Sequence, residues 1–354
     1  MNIIATQASA AITTVLSVVI VFGTLIFVHE LGHFTAAKLA GVHIFDFAMG
    51  YGPVIWQKKW RGTRYSLRGI PLGGFVRMAG MDENPEGETE PIPAHAMFDK
   101  KPLWKRLMII VAGPVANLAL AFIVIACYLM IVSIPPTIQS VTPNSPAAIA
   151  GMQPGDQFVS VANVEVDNVN EVVELIQAHI NKDLPMQMRR DKELVNLTVT
   201  PQYDPTADAA MVGITLFDQQ RQPLLRSLRI AYLEMGRWTV TILSYVGDMI
   251  TGRMKADISG PVGIVVITGS AAQEGLASLM RLVVLLNINL GLFNLFPIPL
   301  LDGFWLVLFV YEAIRRRPLE PQQRANAQAV GLAILVLLLV FATYQDLARF
   351  FPGA

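Results

Sequence analysis

Long apolar runs alternate with charge-bearing stretches along this chain of 354 residues. The first run, Ala10 to Val28, is 19 residues with nothing more polar than Thr or Ser. That is close to the ~20 residues that cross a bilayer as a helix. The helix is expected to continue through Phe27-Val28-His29-Glu30-Leu31-Gly32-His33-Phe34 to about Leu39. A second span is predicted from about Leu107 to Ile134 and carries Gly113-Pro114-Val115-Ala116-Asn117. A third, about Leu276 to Phe296, leads into Asn294-Leu295-Phe296-Pro297-Ile298-Pro299-Leu300-Leu301-Asp302-Gly303. Two prolines stop that helix and Asp302 closes the segment. A short apolar helix at 304–314 then precedes Arg315-Arg316-Arg317, and a last span is expected from about Gln328 to Tyr344.

Between the spans the pattern changes. In the segment 40–106, Val54-Ile55-Trp56 and Tyr65-Ser66-Leu67 flank Arg61-Gly62, a hairpin signal. Ile70-Pro71-Leu72-Gly73-Gly74-Phe75-Val76 reads equally as a β-structure dipping into the membrane face of the first span or as an ordinary amphipathic hairpin. The acidic, proline-containing stretch 82–96 reads as a solvated loop. Residues 136–202 read as a small α+β domain. Gly151-Met152-Gln153-Pro154-Gly155-Asp156 turns into a strand at Gln157–Val161, and Asn168-x-x-Glu171 starts a helix reaching about Ile180. Strands at about 184–190 and 194–200 follow. An amphipathic helix is expected within 222–256, and Ser259-Gly260-Pro261-Val262-Gly263 reads as a turn-rich stretch.

Composition turns these runs into membrane spans. The chain is 53% hydrophobic and 15% charged, whereas soluble domains carry about 25% charged residues. Lys+Arg and Asp+Glu are balanced at 27 each, so net charge points to no nucleic acid. The single cysteine, Cys127, excludes an intramolecular disulfide and a Cys-based zinc site. Eleven Lys and Arg residues between Lys38 and Arg106 put that segment on the cytoplasmic side. The HELGH end then faces the cytoplasm, residues 136–202 lie outside, and four spans leave both ends of the chain outside. No cleavable signal peptide is evident, because the first run lacks a basic flank and continues into the key motif.

His29 and His33 are four residues apart and leave one helix face together, a spacing that lets two ring nitrogens bind one zinc. Glu30 lies about 100° further round, near the metal and not on it, where it can take a proton from water. The same five residues also describe a solvated helix with two histidines. Their place at a membrane boundary, where ionisable groups are costly, favours chemistry. Catalytic zinc takes three protein ligands. The remaining histidines are His43, His95 and His179, and position 39 is Leu where a metzincin needs His. His43 and Asp46 are nearby alternatives. Asp302 is preferred as a lone carboxylate beside an apolar span, placed by the topology at the depth of HELGH. Asn117 reads equally as a packing residue and as a member of the site.

HELGH in a first span, GPVAN in a second and NLFPIPLLDG in a third resemble the site-2 protease family of intramembrane zinc metalloproteases, nearest to its regulator-of-sigma-E branch. IPLGGFVRM is similar to the family's membrane-associated β-loop, and SPAAIAGMQPGD resembles a PDZ domain. One PDZ-like domain stands here where the sigma-E-activating members carry two. The resemblance implies a mostly α polytopic membrane protein: an N-terminal membrane half (1–135), a PDZ-like domain (136–202), an amphipathic connector (203–275) and a C-terminal membrane half (276–354). It implies Zn2+ held by His29, His33 and Asp302, with Glu30 as base and Asn289 and Asn294 holding substrate backbone. The expected activity is cleavage of transmembrane segments of single-span proteins, such as anti-sigma factors or remnant signal peptides, in the bacterial inner membrane. The outer domain is expected to act before chemistry, by excluding substrates with bulky outer portions or by binding a peptide. The alternative from another class is an inactive membrane scaffold that displays a peptide-binding domain.

Overall fold

The computed structural model describes residues 2–81, 91–191, 193–204, 209–254, 260–315 and 321–350. Most of the acidic stretch after Met81, Ser259 of the turn-rich stretch, and Arg316 and Arg317 lie outside these residues. In chain order, helix α1 (Asn2–Ala40) leads to strands β1 (Ile44–Trp60) and β2 (Thr63–Met78) and helix α2 (Leu103–Ile131). Then come β3 (Ile134–Val141), the single turn α3 (Pro146–Ile149), β4 (Gln157–Val161), β5 (Val164–Glu165) and α4 (Val169–Ala178). Strands β6 (Leu184–Arg190), β7 (Glu193–Val199), β8 (Gln202–Asp204), β9 (Ala209–Met211) and β10 (Ile214–Gln219) follow. The chain closes with α5 (Leu224–Ile250), α6 (Pro261–Glu274), α7 (Leu276–Phe293), α8 (Asp302–Arg315) and α9 (Pro321–Phe350).

Two compact units result, one from Ala126–Ser227 and one from the chain on either side of it. In the larger unit, four helices are long and apolar enough to cross a membrane: Ala10–Ala40, Leu103–Ile131, Leu276–Phe293 and Asn326–Arg349. At ~1.5 Å per residue, the uncharged run of α1 is about as long as a ~30 Å hydrocarbon core. His29 therefore stands where that run ends.

The strands β1 and β2 bend back on themselves. Ile44 to Met49 pairs with Gly74 to Met78 on one side and with Arg64 to Leu67 on the other. The far half of β1 pairs with Thr63 to Arg68. Arg61 and Gly62 both have positive φ (48° and 79°), as a two-residue I′ turn requires. Ile44, Phe45, Phe47 and Ala48 are buried, whereas Ile55, Trp56 and Trp60 further along β1 are exposed. Asp46 is buried and bound to Arg64 (Nε–Oδ1 2.5 Å, Nη2–Oδ2 3.1 Å). It is thus committed to the sheet and is no metal ligand.

The C-terminal helices contain one departure from expectation. Gly260-Pro261-Val262-Gly263 opens a helix: Gly260 is the N-cap of α6 and Pro261 its first residue. Proline suits that position because its missing N–H is unpaired there anyway. The amides that are exposed find a partner far away in sequence. Asp346 of α9 is buried and accepts from Gly260 N (3.0 Å) and Gly263 N (2.7 Å). Removing such a partner costs about 1–3 kcal/mol for each buried group left unpaired.

The smaller unit is a sheet in the order β10-β3-β4-β6-β7, with β5 paired to β4. Phe158, Val161, Val172, Leu184 and Met188 lie at the centre of its core. Asn168 caps α4, its Oδ1 accepting from Glu171 N (3.0 Å) while its amide donates to Glu171 Oε1 (2.7 Å). The expected end at residue 202 is too early. The strand Ile214–Gln219 pairs antiparallel with Ile134–Val141 and completes the sheet. Ile214 and Leu216 pack against the core while Thr215 and Phe217 are exposed, an alternation too short to mark a strand by itself.

Candidate metal centre and active site

Three side chains from the two ends of the chain meet in the larger unit. His29 and His33 lie one turn apart on α1, with ring centroids 4.8 Å apart and planes at 81°. Their Nε2 atoms are 3.2 Å apart. Asp302 Oδ2 lies 3.2 Å from His29 Nε2 and 3.3 Å from His33 Nε2. Ligands ~2.0–2.2 Å from a tetrahedral zinc are separated by roughly 3.3–3.5 Å. The observed triangle is close to one face of such a tetrahedron, and its three residues line one cleft. Among the described residues this is the one cluster of three or more His, Cys, Asp or Glu side chains with such convergence.

The chemistry of the triangle also fits a cation. His33 Nδ1 donates to the Ile109 carbonyl at 2.8 Å. In the neutral ring Nε2 then carries the lone pair. A carboxylate oxygen faces it, and Asp302 Oδ2 is buried without a hydrogen-bond donor. Lone pairs forced together away from water repel unless a positive centre lies among them.

Local structure explains each placement. Pro297 and Pro299 end the α7 segment, and Leu300 takes a positive φ of 80° to turn the chain back. The Asn294 carbonyl accepts from Gly303 N at 2.6 Å, closing this loop. Asp302 opens α8 where a carboxylate suits the helix dipole. Helix α8 is held to α2 by Arg106, whose two Nη atoms donate to Glu312 at 2.8 and 2.7 Å. Gly113 of α2 lies against the His33 ring, where any Cβ would overlap Nε2.

Glu30 lines the same cleft as the three converging residues, together with Asn294 and the β2 segment Gly74 to Val76. It is outside the triangle. Gly74 has no side chain to keep β2 away from Glu30: a Cβ there would sit 3.0 Å from Glu30 Cγ. Asn294 Nδ2 is 3.4 Å from His29 Nε2, and Asn117 Nδ2 is 3.4 Å from His29 Nδ1. Asn289 does not line the cleft. Five residues along a helix turn it about 140° away from Asn294. His43 packs on Phe45 (centroids 5.0 Å), and His179 hydrogen-bonds the Leu175 carbonyl in the other unit. Neither joins the triangle. Sequence reasoning missed the Arg106–Glu312 clamp, since nothing local links residues 206 positions apart.

Peptidase family M50 matches residues 17–338, nearly the whole chain. The chain belongs to peptidase family M50. Curated relatives of this M50 peptidase extend over almost their full lengths. The zinc metalloprotease RasP of Geobacillus kaustophilus is 31% identical over 96% of this chain and 98% of its own. The regulator of sigma-W protease RasP of Bacillus subtilis is 28% identical over 96% and 99%. The metalloprotease MmpA of Caulobacter vibrioides is 32% identical over 94% and 95%. Among solved structures, the PDZ domain of a Listeria monocytogenes SdrC-like protein matches 23% of this chain and 86% of its own at 16% identity. Its TM-score of 0.22 is too low to fix a fold. The M50 peptidase is accordingly a zinc metalloprotease, and its His29, His33 and Asp302 have the chemistry and spacing that zinc needs.

Because Gly113 leaves the space that the His33 ring fills, Gly113→Ala is expected to displace that ring and empty the site. Zinc content of the purified variant, measured by mass spectrometry, should fall well below that of wild type. Gly23→Ala, in the same unit but with open space around it, should keep its zinc. Equal zinc in both variants would mean that His33 does not need its observed position.

Proposed function

We propose that this M50 peptidase is an intramembrane endopeptidase that cuts transmembrane segments of single-span proteins near the cytoplasmic end of α1. The observation that carries this reading is a zinc-shaped triangle of His29, His33 and Asp302 where the uncharged run of a membrane-length helix ends. Ionisable groups at such a boundary are costly and serve function. Zinc bound by the three residues supplies a Lewis acid and lowers the pKa of a water toward ~7.

The remaining roles fall to the chain's own groups. Glu30, in the cleft but outside the triangle, takes a proton from the attacking water and passes it to the departing amine. Asn294, beside His29, donates its amide to the substrate backbone. Asn289 would act further along α7, outside the cleft. A membrane helix must unwind before hydrolysis, and its freed amides then need partners in a site that excludes lipid. The β2 segment Gly74 to Met78 is suited to this. It pairs with β1 on one side only among the described residues and borders the cleft. An extended substrate can add as the next strand there. In the smaller unit, PDZ-like in sequence, β10 pairs among the described residues with β3 alone and offers its other edge to a peptide.

The substrate class in view is a single-span regulator such as an anti-sigma factor, in keeping with the sigma-W relative, or a remnant signal peptide. The location proposed is the bacterial inner membrane, with the triangle toward the cytoplasm and the smaller unit outside.

Glu30→Gln should abolish cleavage of a transmembrane substrate by at least 100-fold (the general range for acid–base catalysis is ~10²–10⁴) while zinc stays bound. Turnover near wild type would sink the mechanism, and zinc loss as severe as in His29→Ala would make Glu30 a ligand. For orientation, single cysteines are placed at Arg61 and Asp191 in a Cys127→Ser background. A membrane-impermeant maleimide should label position 191 in intact cells and position 61 only after permeabilisation. The reverse pattern would invert the proposed orientation.

A further inference from the structure

Asn117 is fully buried in α2, four residues after Gly113. Its Nδ2 is 3.4 Å from His29 Nδ1, and its Oδ1 has no hydrogen-bond partner. A buried amide oxygen without a donor calls for a physical account. A neutral imidazole has one N–H and one lone pair. In His29 the lone pair is needed at Nε2, which points at His33 Nε2 and Asp302 Oδ2. The N–H must then be on Nδ1, and the group facing Nδ1 must be an acceptor. An amide nitrogen there would set two donors against each other. Oxygen and nitrogen of an asparagine exchange places by a half-turn about the last side-chain bond, with the same shape and volume. After that half-turn the orphaned Oδ1 faces the His29 N–H.

His33 has the matching arrangement by another route, its Nδ1–H being held by the Ile109 carbonyl. Ile109 and Asn117 both belong to α2, so one helix backs both imidazoles. We propose that Asn117 is a positioning residue for the metal: its amide oxygen accepts the Nδ1–H of His29 and fixes the tautomer that presents Nε2 to zinc. Partners of this kind typically account for 10–100-fold in metal affinity. This accounts for a polar side chain in a helix that is otherwise apolar at this depth. The inference rests on the ligand assignment proposed above.

The test measures zinc affinity of the purified full-length protein by competition with a chelator of known strength. Four forms are compared: wild type, Asn117→Leu, Asn117→Asp and His29→Ala. Leucine is close in size and has no acceptor, so its zinc affinity should fall about 10–100-fold. Aspartate keeps an oxygen toward His29 under either rotation and should match or exceed wild type. Melting temperatures of the zinc-free proteins separate positioning from packing, since a packing role would lower them in parallel with affinity. Zinc affinity of Asn117→Leu within about 2-fold of wild type would overturn the proposal. So would an aspartate variant that loses as much affinity as the leucine variant. Should the leucine variant not fold, the aspartate variant alone decides, because weakened zinc binding with the acceptor retained is incompatible with the proposed role. If His29→Ala itself leaves affinity unchanged, the ligand assignment fails, and that failure is distinct from a failure at Asn117.

Discussion

Two imidazole nitrogens and a carboxylate oxygen, all lone-pair bearers when the rings are neutral, are held 3.2–3.3 Å apart where the uncharged run of α1 ends. Without a cation this arrangement is unfavourable, since each lone pair has lost water and gained a repulsive neighbour. With a cation among them the same atoms become ligands, and they sit within the larger unit. The rest of that unit reads as the frame this constraint requires. Helix α1 supplies two ligands through its own periodicity. The third arrives from the other end of the chain, on the first residue of α8, after a loop bent by two prolines.

Helix α2 is the wall behind the site. Its Ile109 carbonyl orients His33, its Gly113 leaves room for that ring, and its Arg106 grips Glu312 so that α8 stays in place. The bent sheet is the wall in front, approaching Glu30 because Gly74 carries no side chain. The activity proposed above needs a polar cleft and a strand edge open to an extended substrate. Both are formed from segments whose other faces pack into one core around Ile44, Met78, Phe98 and Ile109.

Much of this was legible in the sequence wherever the signal is local. Apolar length marked the four helices long enough to cross a membrane, the i, i+4 histidines marked the metal face, Arg61-Gly62 marked the turn and Asn168 marked the start of α4. Asp302 was reachable through an argument about depth and through the family resemblance, not through local spacing, because 269 positions separate it from His33. The misreadings share a cause. Pro261 begins α6, and the amides at that helix start are satisfied by Asp346, which no window around Pro261 contains. The strand Ile214–Gln219 has only a short alternation of its own, and pairing with residues some 75 positions earlier holds it. Asn289 and Asn294 are a separate matter: the resemblance implies both, and of the two Asn294 lines the cleft while helical phase turns Asn289 away from it. Whether Asn117 faced the site or only packed was undecidable until its distance to His29 was known.

The central claim is that zinc is held by two imidazoles and one carboxylate drawn from both ends of the chain. X-ray absorption at the zinc edge of the purified protein tests it most directly. The account predicts a first shell of nitrogen and oxygen at about 2.0–2.2 Å, with outer scattering from two imidazole rings. Outer scattering from three imidazoles would show that Asp302 is not the third ligand. Scattering from only one would break the pairing of His29 with His33, and either result would contradict the site described.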